Sequence, residues 1–204
     1  GGDGIVSENS EDTTAGSVLI DGGTINIQTG GSGADSAKGI KAQAALAINR
    51  GDITIDAEDD ALHSTTSVAV TNGTLRLSSG DDGIHSDDIV AISGGEISIS
   101  KSYEGIEGGT ITVSGGTIDL TSSDDGFNAA GGADSSASNG PRGNDPFAVD
   151  TSKSLVISGG TITVNAEGDG LDSNGTLSIS GGTIYVSGPT VSNNGALDSG
   201  STMT

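Results

Sequence analysis

The segment Leu155–Val164 reads LVISGGTITV: two runs of alternating apolar residues that meet at a pair of glycines. Alternation with a period of two makes a strand with one buried face. Paired glycines mark a bend between two such strands. Aligned on the second glycine, the pattern recurs with anchors at 23, 51, 73, 95, 116, 160 and 182. Most steps are 21 or 22 residues, one is 28 and one is 44.

Five apolar columns run through these repeats. Four flank the glycines, at five and three residues before the anchor and two and four after it. The fifth contains Ile40, Leu62, Ile84, Ile106, Phe127, Leu171 and Leu197. Two strands around the glycines and a short third strand predict an all-β chain. The expected fold is a right-handed parallel β-helix, a solenoid of about seven coils with three short strands per coil, each coil about 4.8 Å above the last. Leucine-rich repeats share the period, but their L-x-x-L-x-L-x-x-N core is missing, as is the calcium-binding nonapeptide. Residues 1–204 read as one domain. The 44-residue step contains a stretch without apolar columns, 129–152, expected to be a loop insertion between coils. At the start, Asp3–Ile5 repeats the fifth-column motif without its two preceding strands, so a longer chain is expected ahead of residue 1.

With two Phe, two Tyr and no Trp, aliphatic residues stacked like on like must fill the core. The net charge of −21, with seven Lys and Arg, argues against a nucleic-acid partner, whose phosphates need basic patches. The lack of cysteine excludes thiolate metal sites. No apolar run approaches the length needed to cross a bilayer, so no membrane insertion is expected.

The stretch Ser78–Gly95, SSGDDGIHSDDIVAISGG, places four aspartates within eight residues. Its acidic positions recur just before the fifth column. The repeats place Asp59, Asp60, Asp81, Asp82, Glu104, Asp124, Asp125 and Asp169 above one another. Stacked carboxylates repel or take up protons. A hard divalent cation between repeats, bridging Asp60 and Asp82 or Asp82 and Glu104, would resolve the repulsion. Calcium (Ca2+) suits this role, because it takes six to eight oxygens at about 2.3–2.6 Å. The opposing reading is a solvated acidic edge that suppresses aggregation. His63 and His85 stack in the column just after, as a ladder of imidazoles with too few nitrogens for zinc.

The motifs ISGGTITV, SGDDGIHSDD, KSYEGIEG, SSDDGFNAAGG and NAEGDGLDSNGTLSISGGTIYVSGP resemble a bacterial family of carbohydrate-binding domain proteins, common in clostridia. The resemblance runs from about Val18 to Asp198. It implies a secreted or cell-surface β-helix similar in fold to pectate lyases, with calcium between coils. It also implies binding of plant cell-wall polysaccharide, cellulose or pectic acid.

Three functions are weighed. The first is a non-catalytic polysaccharide binder using the outward row Asn26, Thr54, Arg76, Ser98, Asp119, Thr163 and Tyr185, with Tyr103 as a further aromatic contact. The second is a calcium-dependent lyase performing β-elimination on a uronate, for which Lys101 and Arg76 are the candidate bases. A lysine in so negative a field has its pKa raised, which opposes that role. The third is a structural or adhesive surface repeat that self-associates end to end. The binder is the expected function.

Overall fold

The computed structural model describes every residue except 1, 10, 13, 14, 31–35, 131–148, 191 and 193. Most of the expected 129–152 insertion therefore lies outside the described residues. The first half of the chain forms β1 (Ile5–Ser7), β2 (Val18–Gln28), β3 (Ile40–Ala42), β4 (Ala45–Asp56), β5 (Leu62–Ser64), β6 (Ser67–Val70), β7 (Thr74–Ser78) and β8 (Ile84–Ile92). The second half forms β9 (Glu96–Lys101), β10 (Ile106–Val113), β11 (Thr117–Ser122), β12 (Phe127–Ala129), β13 (Ser154–Ala166), β14 (Leu171–Ser173), β15 (Thr176–Ser187) and β16 (Thr202–Met203). All the pairings are parallel. Among the described residues no helix is long and apolar enough to cross a membrane.

The apolar columns are pairing registers. Ile40 faces Leu62, which faces Ile84, then Ile106, Phe127 and Leu171, and Leu171 bridges to Leu197. The column from Ile53 through Leu75, Ile97 and Ile118 to Ile162 is built the same way. From Ile40 to Leu171 the fifth column is fully buried, with Phe127 the largest enclosed side chain. Each such aliphatic group contributes roughly 1.5–3 kcal/mol by leaving water.

The strand connections correct the expected right-handed β-helix. All sixteen strands of the described residues belong to one sheet. Eight of them close a ring in the order β8-β6-β4-β7-β9-β11-β13-β10, with β10 pairing back to β8. The architecture is a closed eight-stranded parallel barrel with further strands outside it. The physical reason lies at the bends. β2, β13 and β15 run unbroken through the glycine pairs, and β4 through Arg50–Gly51, where separate short strands were expected. The second glycine of each pair has positive φ, 93° at Gly160 and 90° at Gly182, and turns the chain without ending its pairing. Apolar periodicity specifies which residues stack. It does not specify where one strand stops, and here the strands continue around corners and join the sheet.

Candidate functional site

Just before the fifth column the chain turns, and amides there lose their strand partners. Aspartate side chains take them up. Asp3 Oδ1 accepts the amide of Lys38 at 2.9 Å. Asp60 Oδ1 accepts that of Asp82 at 3.1 Å, and Asp82 Oδ1 that of Glu104 at 3.2 Å. Further along, Asp125 Oδ1 accepts the amide of Asp169 at 2.6 Å, and Asp169 accepts that of Gly195. Glu104 is one methylene longer and leaves this series. Its Oε1 accepts from Asn128 Nδ2 at 2.9 Å, while Glu104 Oε2 and Asn128 Oδ1 are buried without a partner.

The second carboxylate oxygens meet cations in the first part of the ladder. Lys38 Nζ lies 2.6 Å from Asp60 Oδ2 and 3.1 Å from Asp59 Oδ2. His63 Nδ1 lies 2.8 Å from Asp60 Oδ2. His85 Nδ1 lies 2.8 Å from both Asp82 Oδ2 and Glu107 Oε2, and its Nε2 lies 3.2 Å from Asp87 Oδ1. The two imidazoles stack with centroids 4.9 Å apart. Burial raises the Asp60 carboxyl, but the His63 hydrogen bond and the Lys38 charge outweigh it and bring the pKa down to about 2. Burial also disfavours a charged His85, yet its bonds to Asp82, Asp87 and Glu107 prevail and raise its pKa. Asp82 and Glu104 are pushed well up, first by burial and then by neighbouring carboxylates. In this part of the cluster Lys38 and His85 oppose the carboxylate charge, and burial shifts Asp82 and Glu104 toward the protonated form.

Among the described residues the far part has no such partners. Asp169, Asp172 and Asp198 bring carboxylate oxygens within 4.8 Å of one another. Burial first, then mutual repulsion, pushes Asp125 up to about 7 and Asp172 up to about 6, and raises Asp169. Of the expected metal ligands, Asp59, Asp60 and Asp81 form one compact group and Asp169 belongs to another. Two members of that second group, Asp172 and Asp198, were not among the expected ligands. The bridges expected at Asp60–Asp82 and Asp82–Glu104 are occupied by backbone amides. Calcium therefore fits the Asp169–Asp172–Asp198 end better than the Lys38 end, where protein cations already occupy the oxygens.

The outward row is in register from end to end. Asn26 faces Thr54, then come Arg76, Ser98, Asp119, Thr163 and Tyr185. At about 4.8 Å per strand its path across the sheet is roughly 29 Å, and from Thr54 to Thr163 that path follows the wall of the ring. Tyr185 is 63% exposed. Arg76 lies on this face with Nη1 2.5 Å from Asp52 Oδ1. Tyr103 is separated from the row. It sits at the acidic corner between Asp81 and Asp124, and its hydroxyl bonds Asp124, which raises its pKa. Lys101 is displaced by a register shift after Leu77 that sets it opposite Ser78, on the rim of a polar cleft with Asp56 and Glu58. Sequence spacing conceals that shift. Alternation beyond Ile27 and Ile55 could have marked Gln28 and Asp56 as a second outward column.

The fold and these surfaces define an all-β repeat protein with an internal acid ladder and a long polar face. The family model described as Carbohydrate-binding domain-containing protein matches residues 31–83, about a quarter of the chain. That match supports carbohydrate binding, and it spans Thr54 and Arg76 of the row. No curated protein and no solved structure matches the chain, so kinship in fold to pectate lyases finds no support.

Proposed function

We propose that this chain is an extracellular, non-catalytic binder of plant cell-wall polysaccharide, cellulose or pectic acid, with the Asn26–Tyr185 row as its contact face. The observation that carries the reading is the family match over residues 31–83, which falls on the strands that supply Thr54 and Arg76. A row of hydroxyl, amide and charged groups along a path of roughly 29 Å offers donors and acceptors to several consecutive sugar rings. Each contact is weak, and many along one chain add by avidity. Calcium is the proposed structural ion, held by Asp169, Asp172 and Asp198. When bound it supplies the positive charge that this end of the ladder lacks. Its role there is electrostatic, in a site whose carboxyls burial and repulsion already push up.

The test is co-sedimentation with insoluble cellulose and with calcium–pectate gel, comparing wild type with a Thr54→Ala/Arg76→Ala/Tyr185→Ala variant. Retention of the wild type and at least tenfold weaker retention of the variant is the expected result. Equal retention of both, or of neither, refutes the face. Release of unsaturated uronate from polygalacturonate would replace the binder by a lyase.

A further inference from the structure

We propose that the cleft framed by Gln28, Thr29, Asp56, Glu58, Gly80 and Lys101 is a subsite for one hexopyranose ring of an uncharged glycan. The proposal rests on the polysaccharide-binding reading above and deepens it, because the cleft opens along the edge of the same outward face. Gln28 and Asp56 are paired residues at the ends of β2 and β4, two positions beyond Asn26 and Thr54. Lys101 enters from the end of β9 because of the register shift opposite Ser78.

The cleft has a volume of about 470 Å3, within the range of sites that hold small molecules. Its emptiness is built into the backbone. A Cβ on Gly80 would lie 1.9 Å from the carbonyl oxygen of Glu58, and one on Gly30 would lie 2.9 Å from Glu58 Oε2. Glycine at 30 thus leaves room beside the Glu58 carboxylate, and glycine at 80 lets the chain lie against the Glu58 carbonyl. Thr29 Oγ1 donates to the Ala37 carbonyl at 2.7 Å, but the charged groups around that space are uncommitted. Lys38, Lys41, Arg50 and Arg76 are each ion-paired. Among the described residues Asp56, Glu58 and Lys101 have neither an ion pair nor a side-chain hydrogen bond, and all three are exposed.

The chemistry of the lining selects the ligand. Two carboxylates accept hydrogen bonds from sugar hydroxyls, and such charge-assisted bonds are the stronger kind. Lys101 Nζ and the Gln28 amide donate to ring or glycosidic oxygens. No aromatic ring lines the cleft, so recognition is by hydrogen bonding. A uronate would bring a third carboxylate against Asp56 and Glu58 with one ammonium to balance three, and like charges brought together resist binding. The cleft therefore discriminates between neutral and acidic polysaccharide, a choice that the row leaves open.

The experiment is calorimetric titration of the full chain with cellohexaose and with trigalacturonate, both in EDTA, beside the co-sedimentation assay. The expected result is cellohexaose affinity weakened at least tenfold in Asp56→Asn/Glu58→Gln. Glu58→Lys should lose cellohexaose and gain trigalacturonate. Melting curves should be unchanged, since both side chains face solvent. Unaltered cellohexaose affinity in both variants, with co-sedimentation intact, overturns the cleft and leaves the polysaccharide-binding reading standing. Wild type that sediments with no polysaccharide refutes that reading and the cleft with it. Wild-type binding of cellohexaose that disappears in EDTA also overturns the proposal, because it assigns the hydroxyl contacts to the carboxylates themselves.

Discussion

The acid ladder is one structural column whose charges, among the described residues, meet basic side chains at one end and do not at the other. Between Lys38 and Glu104 it threads past Lys38, His63 and His85, and Asp60, Asp82 and His85 have no solvent exposure. Between Asp125 and Asp198 the same backbone positions carry no basic side chain, and the carboxyls are only partly covered. The repeat supplies the geometry at both ends, an Asp oxygen bonded to the next amide. Charge balance comes from single substitutions within the columns: lysine at 38, and histidine at 63 and 85 where the far end has Asp172 and Asp198. Buried ions are tolerated when paired and costly when a partner is removed, so the two ends should respond differently to the same perturbations.

The largest effect is expected at the paired end. Lys38→Met removes the ammonium beside Asp59 and Asp60 and leaves Asp60 buried and ionised. Loss of one partner from such a pair costs about 3–5 kcal/mol, readable by denaturant unfolding at neutral pH. Asp125→Asn keeps the oxygen that accepts the Asp169 amide and removes a repelled charge, so in EDTA it should be neutral or stabilising. Equal losses in the two variants would abolish the distinction between the ends.

Calcium is expected to act at the far end alone. At a hundredfold excess over Kd, a ligand specific to the folded state adds about 2.7 kcal/mol. The melting temperature should rise with calcium in the wild type and stay flat in Asp172→Asn/Asp198→Asn. If the double variant still responds, the ion lies elsewhere on the ladder.

The pH dependence of Asp60 is opposite in sign to that of the far-end aspartates. Asp125 at about 7 and Asp172 at about 6 stand above the ordinary aspartate pKa in the folded protein. The folded state thus holds more protons than the unfolded one, and metal-free stability falls as pH rises from about 4 to about 7. Asp60 at about 2 does the reverse: its contribution is complete above about 4 and is lost as pH falls towards 2. After allowance for solvent screening at the partly exposed Asp125, the far-end term is on the order of 1–3 kcal/mol. Asp125→Asn should flatten the slope between about pH 4 and about 7 in EDTA, the window between the unfolded and folded values. An unchanged slope would assign it to other groups, Asp82 and Glu104 first.

Much of this was legible in the residues. Column membership followed from spacing alone, because each repeat stacks in register on the next, and the acidic positions and the row from Asn26 to Tyr185 came with it. The closed ring did not, since whether Ser158–Gly160 ends a strand depends on pairing across the bend. Nor did the partners of the carboxylates. Sequence places Lys38 in the acidic column, but only the fold shows its amine reaching Asp60, and the amides that donate to no strand partner are invisible in side-chain patterns. Repulsion between stacked acids followed from the sequence; that Lys38, His85 and backbone N–H groups meet these carboxylates at one end did not. The Lys101 cleft was hidden by a register shift that no spacing rule marks.

The smallest effect isolates burial from distance. Arg76 and Asp52 approach to 2.5 Å, as close as Lys38 and Asp60 at 2.6 Å. The first pair stands on the outward face with both side chains 56% exposed, whereas the second has side chains 6% and 0% exposed. In water the attraction is screened and two mobile side chains must be ordered to gain it, so exposed pairs are worth about 0.2–1 kcal/mol. Arg76→Ala should therefore cost less than about 1 kcal/mol in the unfolding assay, and that small loss should shrink further as salt is raised. Arg76→Ala should nonetheless weaken retention on polysaccharide, since the row loses a donor that the fold does not need. A cost comparable to that of Lys38→Met would mean that contact distance, and not exclusion of water, governs the charged columns of this protein.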